Sequence, residues 1–359
     1  MTQIKLLAFI TLGFLINACE GEKKIEKNIF SIDTSNLKQV YHLNDTVDLL
    51  LKNDKNKTID SIVYYVNDKN VGTVAGNSKL SVVLDQQKLG YQKIKALAFY
   101  AGTSSEAETN FTIASSIEPK LLTFKIVNTY PHDIKAYTQG FEFYRDTLFE
   151  GTGNGAGNGT GTRGMSSLRK NNYKTGEIAK KIELAPMYFG EGITILDNKV
   201  YQLTYKHKEG YVYDADTFEK LKTFKYFDGM QEGWGMTNDG TNLYVSDGTE
   251  KIYIVNPETF EPIDYINVYT QHAKIESVNE LEWIDGKIWA NIYTKDAIAI
   301  INPKNGEVEG VLNCASLRKE VTNHPDLDYF NGIAYNPKTQ TVFVTGKNWD
   351  KVFEITIEE

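Results

Sequence analysis

Hydrophobic and polar positions alternate over the first part of the chain, from about Ile29 to Ile113. Apolar runs such as VDLLLKN, SIVYYVND and LSVVLD are separated by the polar segments NDKNKT, DKNVG and QQKLG. Alternation over about four to eight residues predicts strands with one buried face, and short strands divided by turns favour a small antiparallel sandwich. We therefore predict an immunoglobulin-like β-sandwich over residues 29–116, which we expect to act as a spacer.

From about residue 120 onward the pattern becomes a repeat, in which a polar residue, usually followed by glycine, precedes an apolar strand. Each copy continues with a second strand, such as NKVYQLTY or GKIWANIY, and with a turn such as NPETFEPI. The copies lie 41 to 52 residues apart and begin at five polar positions: Gln139, Glu191, Glu232, Asn279 and Asn331. A period in the forties with about four strands per unit is typical of propeller blades. The sequence therefore predicts an all-β fold in which residues 120–359 form a five-bladed β-propeller.

The second copy begins with FGEGIT, which places Glu191 between Gly190 and Gly192. In a propeller the first strand of each blade lines the central channel, so the five polar positions are expected to form a ring at one opening. Glycine beside them allows neighbouring backbones to approach closely. Glu191 is then either a pocket carboxylate or a channel residue that holds ordered water and connects blades. The pattern alone leaves both open.

The amino-terminal residues have the layout of a secretory signal, because Lys5 precedes an apolar stretch, 6–16, that is too short for a comfortable membrane span. The stretch ends in LINAC, which resembles a bacterial lipobox, and we expect Cys19 to be lipidated; the alternative is an ordinary signal peptide. Residues 1–19 are thus interpreted as a lipoprotein signal peptide and the charged residues 20–28 as a tether. This predicts a lipid-anchored protein of the bacterial cell envelope, facing the periplasm or the outer membrane.

Composition restricts the chemistry further. A net charge of −8 argues against a nucleic-acid partner, and we expect a monomer. Cys314 is the only cysteine after the signal, so no intramolecular disulfide can form. The five histidines show no HxH or HExxH pattern, so the sequence predicts no zinc site and no cofactor. No motif specifies a calcium ion in the channel.

A series of motifs runs through the repeat region from about residue 125 to 353: YPHDIKAYTQGFEF, SSLRK, FGEGIT, VYQLTY, EGWGMT, LYVSDG, VNELEW, WANIY, DLDYFNGIAYNP and VFVTGKNW. With these motifs in this order the chain resembles the plant-type and bacterial glutaminyl-peptide cyclotransferases, the glutamine cyclotransferase family. The predicted amino-terminal sandwich lies outside the resemblance. The resemblance implies a five-bladed propeller that converts the amino-terminal glutamine of peptides or proteins to pyroglutamate and releases ammonia.

The resemblance also implies roles for individual residues. It makes Glu191 of FGEG the catalytic carboxylate, a general acid and base, and adds Asn279 and Lys347 as further catalytic groups. Lys347 or a backbone amide is expected to stabilise the developing oxyanion. The implied substrate-binding residues are Gln139, Tyr137, Phe189, Tyr205 and Trp234. Tyr205 departs from the family, which commonly has tryptophan after QLT, so stacking there is expected to differ.

Two other functions remain compatible with the pattern. A non-catalytic propeller lipoprotein that binds peptide or sugar ligands would use the same fold, although binding alone does not require the carboxylate, lysine and amide of the motifs together. A propeller lactonase would need several carboxylates around a metal, and the five repeat positions offer only two. The glycine-rich stretch 151–164 is interpreted as either a lip of the pocket or a plain loop.

Overall fold

The computed structural model describes residues 25–27, 29–155 and 164–358. Within these residues the protein is all-β, as predicted, with thirty strands and one 3-10 helix, Leu317–Lys319. No helix in this described part of the chain is long and apolar enough to cross a membrane. The predicted signal peptide with Cys19, most of the tether and the centre of the glycine-rich stretch lie outside the described residues.

The strands of the amino-terminal part are β1 (Ile25–Lys27), β2 (Ser31–Ile32), β3 (Val40–His42), β4 (Thr46–Leu49), β5 (Leu51–Lys52), β6 (Ser61–Val66), β7 (Lys69–Ala75), β8 (Leu80–Val83), β9 (Gly90–Tyr100) and β10 (Thr103–Ala114). Six of them form one sheet in the order β1-β10-β9-β6-β7, with β3 also beside β10, while β2 pairs with β5 and β4 with β8. The predicted alternation is clear in β6, where Ile62, Tyr64 and Val66 are buried.

The strand directions in this part differ from the prediction of a purely antiparallel arrangement. β6 runs antiparallel to β7 and β9, but β1 and β3 both run parallel to β10. Alternation of buried and exposed residues reports which face of a strand is buried and carries no information about the direction of its neighbours. The sheet is therefore mixed.

The chain divides into two compact units. The first contains residues 48–82 and 93–109 together with the described residues before 38, and the second contains 38–47, 83–92 and 110 onward. Segments of the two units therefore follow one another in the amino-terminal sequence, and β9 and β10 each contribute residues to both units. The predicted boundaries at 29–116 and 120–359 stay predictions.

The strands of the repeat region are β11 (Lys120–Pro131), β12 (Tyr137–Tyr144), β13 (Thr147–Gly153), β14 (Ser167–Asn171), β15 (Ile178–Glu183), β16 (Gly190–Leu196), β17 (Lys199–Thr204), β18 (Glu209–Asp214), β19 (Lys220–Lys225), β20 (Met236–Asn238), β21 (Leu243–Ser246), β22 (Lys251–Val255), β23 (Pro262–Asn267), β24 (Val278–Ile284), β25 (Lys287–Ile292), β26 (Ala297–Ile301), β27 (Val308–Asn313), β28 (Phe330–Asn336), β29 (Thr341–Gly346) and β30 (Lys351–Glu358). Three sheets take four consecutive strands each: β12–β15, β16–β19 and β20–β23. An eight-stranded sheet follows the order β24-β25-β26-β27-β11-β30-β29-β28. Within it β11 is parallel to β27 and antiparallel to β30, so it joins two sets of consecutive strands.

Apolar clusters lie between consecutive sets of strands. One joins β12–β15 to β16–β19, a second joins β16–β19 to β20–β23, a third joins β20–β23 to β24–β27, and a fourth joins β24–β27 to β28–β30. The fifth, which contains Phe141 and Phe343, joins β28–β30 back to β12 and β13. The sets of strands therefore close on one another through buried apolar side chains.

The first strands of successive sets approach closely. Gly140 leaves no room for a Cβ atom against the amide of Ile193, and Gly235 leaves none against the carbonyl of Asn279. A larger residue at either position would have to push two backbones apart. These glycines fix how closely the beginnings of the first strands converge.

Three glutamates connect the same strands further along: Glu280 and Glu282 are buried and Glu142 is half-buried. Glu280 accepts hydrogen bonds from the amides of Phe141 and Ile333, at 3.1 and 3.0 Å. Glu142 and Glu282 each accept one backbone amide from a neighbouring first strand, at 3.0 and 2.7 Å. Burial raises the pKa of Glu142 to about 8. These side chains hold neighbouring backbones together at the centre of the repeat region.

Candidate active site

A cavity of about 270 Å³ is lined by nine residues: Tyr137, Gln139, Phe189, Glu191, Tyr205, Trp234, Asn279, Tyr293 and Lys347. All eight residues predicted to bind substrate or to act in catalysis belong to this set. The ninth, Tyr293, was not predicted. The structure therefore brings side chains from five different sets of strands into one site.

Two recurring positions in the sets of strands supply most of these side chains. The first position lies near the beginning of the first strand, where the register shifts, and supplies Gln139, Glu191 and Asn279. The second position directly follows the second strand and supplies Tyr205, Tyr293 and Lys347. Register irregularities at strand ends change the direction of a side chain, which suits residues that must leave the packed sheet.

The polar and the aromatic side chains are buried to different extents. Gln139, Glu191, Asn279 and Lys347 expose at most 4% of their surface. Most of the aromatic residues are half-buried, namely Phe189, Tyr205, Trp234 and Tyr293. The groups that can move a proton or form hydrogen bonds are thus the ones most withdrawn from solvent.

The aromatic side chains form two contiguous walls. Tyr137 contacts Phe189, and Phe189 contacts Tyr205, with ring centroids 5.9 Å apart in both pairs. In the second wall the rings of Trp234 and Tyr293 meet edge to face at 5.6 Å. Apolar walls exclude water and strengthen the electrostatic interactions of the charged groups beside them.

Glu191 is a buried carboxyl in this cavity. Burial raises its pKa well above the ordinary value, the positive charge of Lys347 opposes this rise, and the negative charge of Glu232 adds to it. Desolvation is the dominant cause, because it penalises the charged form directly. A carboxyl with a raised pKa can both accept and return a proton near neutral pH.

Lys347 is the buried cation of the cavity. Its Nζ lies 4.9 Å from the ring centroid of Tyr293 and 5.0 Å from that of Tyr137. Burial lowers the pKa of Lys347, whereas the negative charges of Glu191 and Asp328 raise it. The two rings stabilise the ammonium form through cation–π contact, which opposes the effect of burial.

The two amide side chains of the cavity differ in their partners. Asn331, which lies outside the cavity lining, donates from Nδ2 to the carbonyl of Thr138 at 2.9 Å and to Gln139 Oε1 at 3.4 Å. Asn279 Oδ1 is buried and has no hydrogen-bond partner in the described part of the chain. An unpaired buried acceptor costs about 1–3 kcal/mol, and a substrate donor at this position would remove that cost.

The polar ring predicted at the five repeat starts forms only in part. Glu232 does not line the cavity; it is half-buried, accepts a hydrogen bond from Trp234 Nε1 at 3.0 Å and pairs with Lys206 at 3.4 Å. Asn331 is buried beside Gln139 instead of lining the cavity. Of the five predicted positions, Gln139, Glu191 and Asn279 line the cavity, whereas Glu232 and Asn331 lie beside lining residues.

The third copy differs because its register is shifted by two residues within EGWGM. Gly192 of the second copy donates its amide to the carbonyl of Trp234 at 2.7 Å, and Gly235 makes the close approach to the next first strand. Glycine follows both Glu232 and Trp234 in the sequence. The repeat pattern alone therefore does not show which of these two residues occupies the position that Glu191 has in the second copy.

Tyr293 is the cavity residue that sequence reasoning missed, although a signal for it was present. It directly follows β25, as Tyr205 follows β17 and Lys347 follows β29. Aligning the repeats at the end of the second strand, in addition to the start of the first, would have found it. The glutamates Glu142, Glu280 and Glu282 of the first strands are also absent from the prediction, because the repeat pattern marks only the first polar residue of each copy.

In the parts of the chain that the structure describes, no group of three His, Cys, Asp or Glu side chains is arranged to hold a metal ion. The charged groups of the cavity itself are Glu191 and Lys347. The chemistry this arrangement supports is proton transfer by a buried carboxyl, next to a fixed positive charge and hydrogen-bonding amides.

A family model described as glutamine cyclotransferase matches residues 95–357. The chain belongs to the glutamine cyclotransferase family. The family predicted from the motifs is thus confirmed, but the match begins at residue 95, within β9, and not at about 125. The family likeness therefore includes strands that the prediction placed outside it.

Two relatives within the glutamine cyclotransferase family illustrate the likeness. The glutaminyl-peptide cyclotransferase of Arabidopsis thaliana is 36% identical over 238 residues, which cover 66% of this chain and 71% of the plant protein. The crystal structure of the glutaminyl cyclase of Myxococcus xanthus is similar with a TM-score of 0.60 and 28% identity, covering 67% of this chain and 99% of that one.

Proposed function

We propose that the protein is a glutaminyl-peptide cyclotransferase, which converts the amino-terminal glutamine of peptides or proteins to pyroglutamate with release of ammonia. The observation that carries this proposal is the cavity in which Glu191, Asn279 and Lys347 are buried together between aromatic walls. Membership of the glutamine cyclotransferase family and the printed names of its two relatives support the same activity.

The reaction requires one proton to change place. The α-amino nitrogen of the substrate attacks the γ-carboxamide carbon, a ring C–N bond forms, and the bond to the amide nitrogen breaks. The attacking nitrogen loses a proton and the leaving nitrogen gains one, so ammonia departs without oxidation or reduction. A single carboxyl near both nitrogens can transfer that proton, and in our proposal Glu191 does so because its raised pKa suits both directions.

The remaining residues position the substrate. Because the nucleophile belongs to the substrate, catalysis depends on folding the glutamine into an attack geometry. We assign this task to Gln139 and Asn279, which can bind amide and carbonyl groups, and to the aromatic walls. The ammonium of Lys347, or a backbone amide, stabilises the negative charge that develops on the γ-carbonyl oxygen.

The activity is tested by incubating the purified protein with a Gln-initiated dipeptide and measuring released ammonia, with mass spectrometry of the product. We expect ammonia and the cyclic product in equal amounts. The N-acetylated dipeptide is the matched control, since it lacks the nucleophilic amine and should release none. Binding of the dipeptide without turnover would instead support a peptide-binding lipoprotein.

We further propose that the repeat region is a five-bladed β-propeller. The three four-stranded sheets, the two further sets joined through β11 and the five apolar clusters that connect these sets support it. We also propose that residues 29–116 form an immunoglobulin-like spacer, and that the protein acts as a monomer at the bacterial cell envelope, anchored by a lipid on Cys19. The sequence LINAC supports the anchor.

A further inference from the structure

Asp328 does not line the cavity, yet both of its carboxylate oxygens are engaged at its edge. Oδ2 accepts the hydroxyl hydrogen of Tyr137 at 2.7 Å, and Oδ1 accepts the amide of Tyr329 at 2.7 Å. The carbonyl of Asp328 accepts further hydrogen bonds from Arg318 Nη2 at 3.0 Å and from Trp349 Nε1 at 3.1 Å. Contacts from three other segments, together with the amide of its neighbour Tyr329, hold this residue in one orientation.

The same segment is tied to the backbone of Lys347. The amide of Asp328 donates to the carbonyl of Lys347 at 3.1 Å, and the amide of Lys347 donates to the carbonyl of Tyr329 at 2.9 Å. The ring of Tyr137, whose hydroxyl is bound to Asp328, lies 5.0 Å from Lys347 Nζ. Asp328 is thus connected to the buried ammonium both through the backbone and through the tyrosine ring.

We propose that Asp328 is a positioning residue of the active site. It holds the ring of Tyr137 against Lys347 through a hydrogen bond, and its negative charge keeps the Lys347 amine protonated. This inference rests on the proposed function only where it assigns the lysine charge a use in catalysis. The protonation state of Lys347 itself can be measured without turnover. A buried lysine without a compensating charge loses its proton readily. A neutral amine would be a much weaker stabiliser of a developing oxyanion.

The charged and titratable groups that face Lys347 are few. Glu191 faces it across the cavity, Asp328 supports it from the segment before β28, and the phenol rings of Tyr137 and Tyr293 contact it. Glu191 is assigned the changing charge of the reaction. The carboxylate of Asp328 is held by the hydroxyl of Tyr137 and the amide of Tyr329 and supplies the second counter-charge.

The test is the titration of Lys347 in protein labelled with carbon-13 at lysine Cε, followed by NMR; Lys347→Arg identifies the signal. In Asp328→Asn the amide oxygen can still accept the Tyr137 hydroxyl, but the charge is gone. We expect the pKa of Lys347 to fall by about one pH unit or more. Asp296→Asn is the matched control, because Asp296, like Asp328, accepts a hydrogen bond from Arg318, at 3.3 Å. This substitution should leave the titration of Lys347 unchanged.

Tyr137→Phe provides a second arm that does not depend on the folding of Asp328→Asn. Removing the hydroxyl leaves the charge on Asp328 Oδ2 without its donor, so the attraction for Lys347 should increase and its pKa should rise. The basic limb of the pH profile of kcat/KM should move in the same directions, to lower pH in Asp328→Asn and to higher pH in Tyr137→Phe. Unchanged titration of Lys347 in a folded Asp328→Asn, or in Tyr137→Phe, would overturn the proposal. Absence of turnover in the unaltered protein would overturn the proposed function alone.

Discussion

Glu191 shows how one residue acquires a chemical role from its surroundings. Its neighbours along the chain are glycines, which contribute no charge and little volume, so the local sequence does not perturb the carboxyl. The rise in its pKa comes from burial in a cavity built by distant strands, moderated by Lys347. Its role is therefore a property of the assembled site.

The first prediction concerns Glu191→Gln, which keeps the size of the side chain but removes the titrating group. We expect kcat to fall about 10²–10⁴-fold, the usual loss for a positioned acid–base group. KM should change far less, because Gln139 and Asn279 are assigned to substrate positioning. Steady-state kinetics with a Gln-initiated dipeptide, together with a melting curve, checks both points.

Glu232→Gln is the control for this prediction. Glu232 also affects the pKa of Glu191 through its charge, but it bonds to Trp234 and lies outside the cavity lining. Its substitution should reduce kcat much less. If Glu191→Gln cyclises glutamine at nearly the native rate, or loses activity only because it melts earlier, Glu191 is not the proton carrier.

At the scale of elements, the first strands determine the geometry of the site. Their beginnings carry Gln139, Glu191 and Asn279, and they can converge only because glycines occupy the points of closest approach. Further along, glutamates of these strands bind amides of the neighbouring strands. The spacing of the functional side chains is thus set by backbone contacts that no single strand specifies.

The second prediction tests this convergence through Gly235→Ala. A Cβ at this position would collide with the carbonyl of Asn279, so two first strands must separate. We expect the free energy of unfolding to fall by about 1–3 kcal/mol, as in other overpacked sites, and kcat/KM to fall because Asn279 moves. Urea denaturation and kinetics are the measurements.

Gly310→Ala is the matched control for this substitution, since its added methyl group would meet only side-chain atoms of Ile300 and Leu122 at 3.3 Å and backbone at 3.6 Å. Its stability and kinetics should stay near those of the unaltered protein. Equal stability of Gly235→Ala and Gly310→Ala would contradict the proposed role of the close approach.

The third prediction concerns the buried carboxylate of Glu150, which lies on β13 and connects strands of the sheet β12–β15. Glu150 accepts hydrogen bonds from His132 Nε2 at 3.1 Å, from Thr138 Oγ1 at 2.8 Å and from Asn171 Nδ2 at 2.7 Å. Burial disfavours its charge, but the charges of His132 and Arg169 and these hydrogen bonds outweigh burial and lower the pKa of Glu150 to about 2.

A carboxyl whose pKa is lower in the folded than in the unfolded state stabilises the fold above its unfolded pKa, here 4.5. That contribution is lost as pH falls from this value toward about 2. Glu150→Gln should lower the free energy of unfolding at pH 7 by about 3–5 kcal/mol, because buried cations lose their partner. It should also flatten the dependence of stability on pH in the acidic range. Denaturation at several pH values checks both effects, with Glu183→Gln expected to change both far less, because the Lys181–Glu183 pair is exposed to solvent.

At the scale of the whole molecule, the chain combines a family domain with an amino-terminal part of its own. The family match covers 95–357, and β11 incorporates residue 120 onward into the same sheet as the last strands of the chain. Before the match lie the strands β1–β8 and the predicted signal and tether. In the proposed anchoring, the strands β1–β8 lie in the chain between Cys19 and the part that matches the family.

The fourth prediction concerns that anchor. If Cys19 is lipidated, Cys19→Ser should move the protein from the membrane fraction to the soluble fraction, and a labelled fatty acid should no longer attach to it. Cys314→Ser is the control, because Cys314 is buried and should have no effect on either readout. Retention of Cys19→Ser in the membrane fraction would show that LINAC does not direct the anchoring.

The sequence by itself determined the features of this protein that depend on local pattern. Alternation of apolar and polar residues is a property of single strands, so the all-β fold and the recurring units could be predicted. The ordered motifs identified the family and eight of the nine cavity residues, because those eight residues lie in motifs at or beside the ends of strands that face the site.

Only the tertiary structure decided how these units fit together. It excluded Glu232 from the cavity lining in the third copy, since the register is fixed by the contact of Gly192 with Trp234, Gly235 and Met236. It brought Tyr293 beside Lys347 and ran β1 and β3 parallel to β10. It also raised the pKa of Glu191 and placed Asp328 behind Tyr137. All of these depend on distances between residues far apart in the chain, which packing sets and local sequence does not encode.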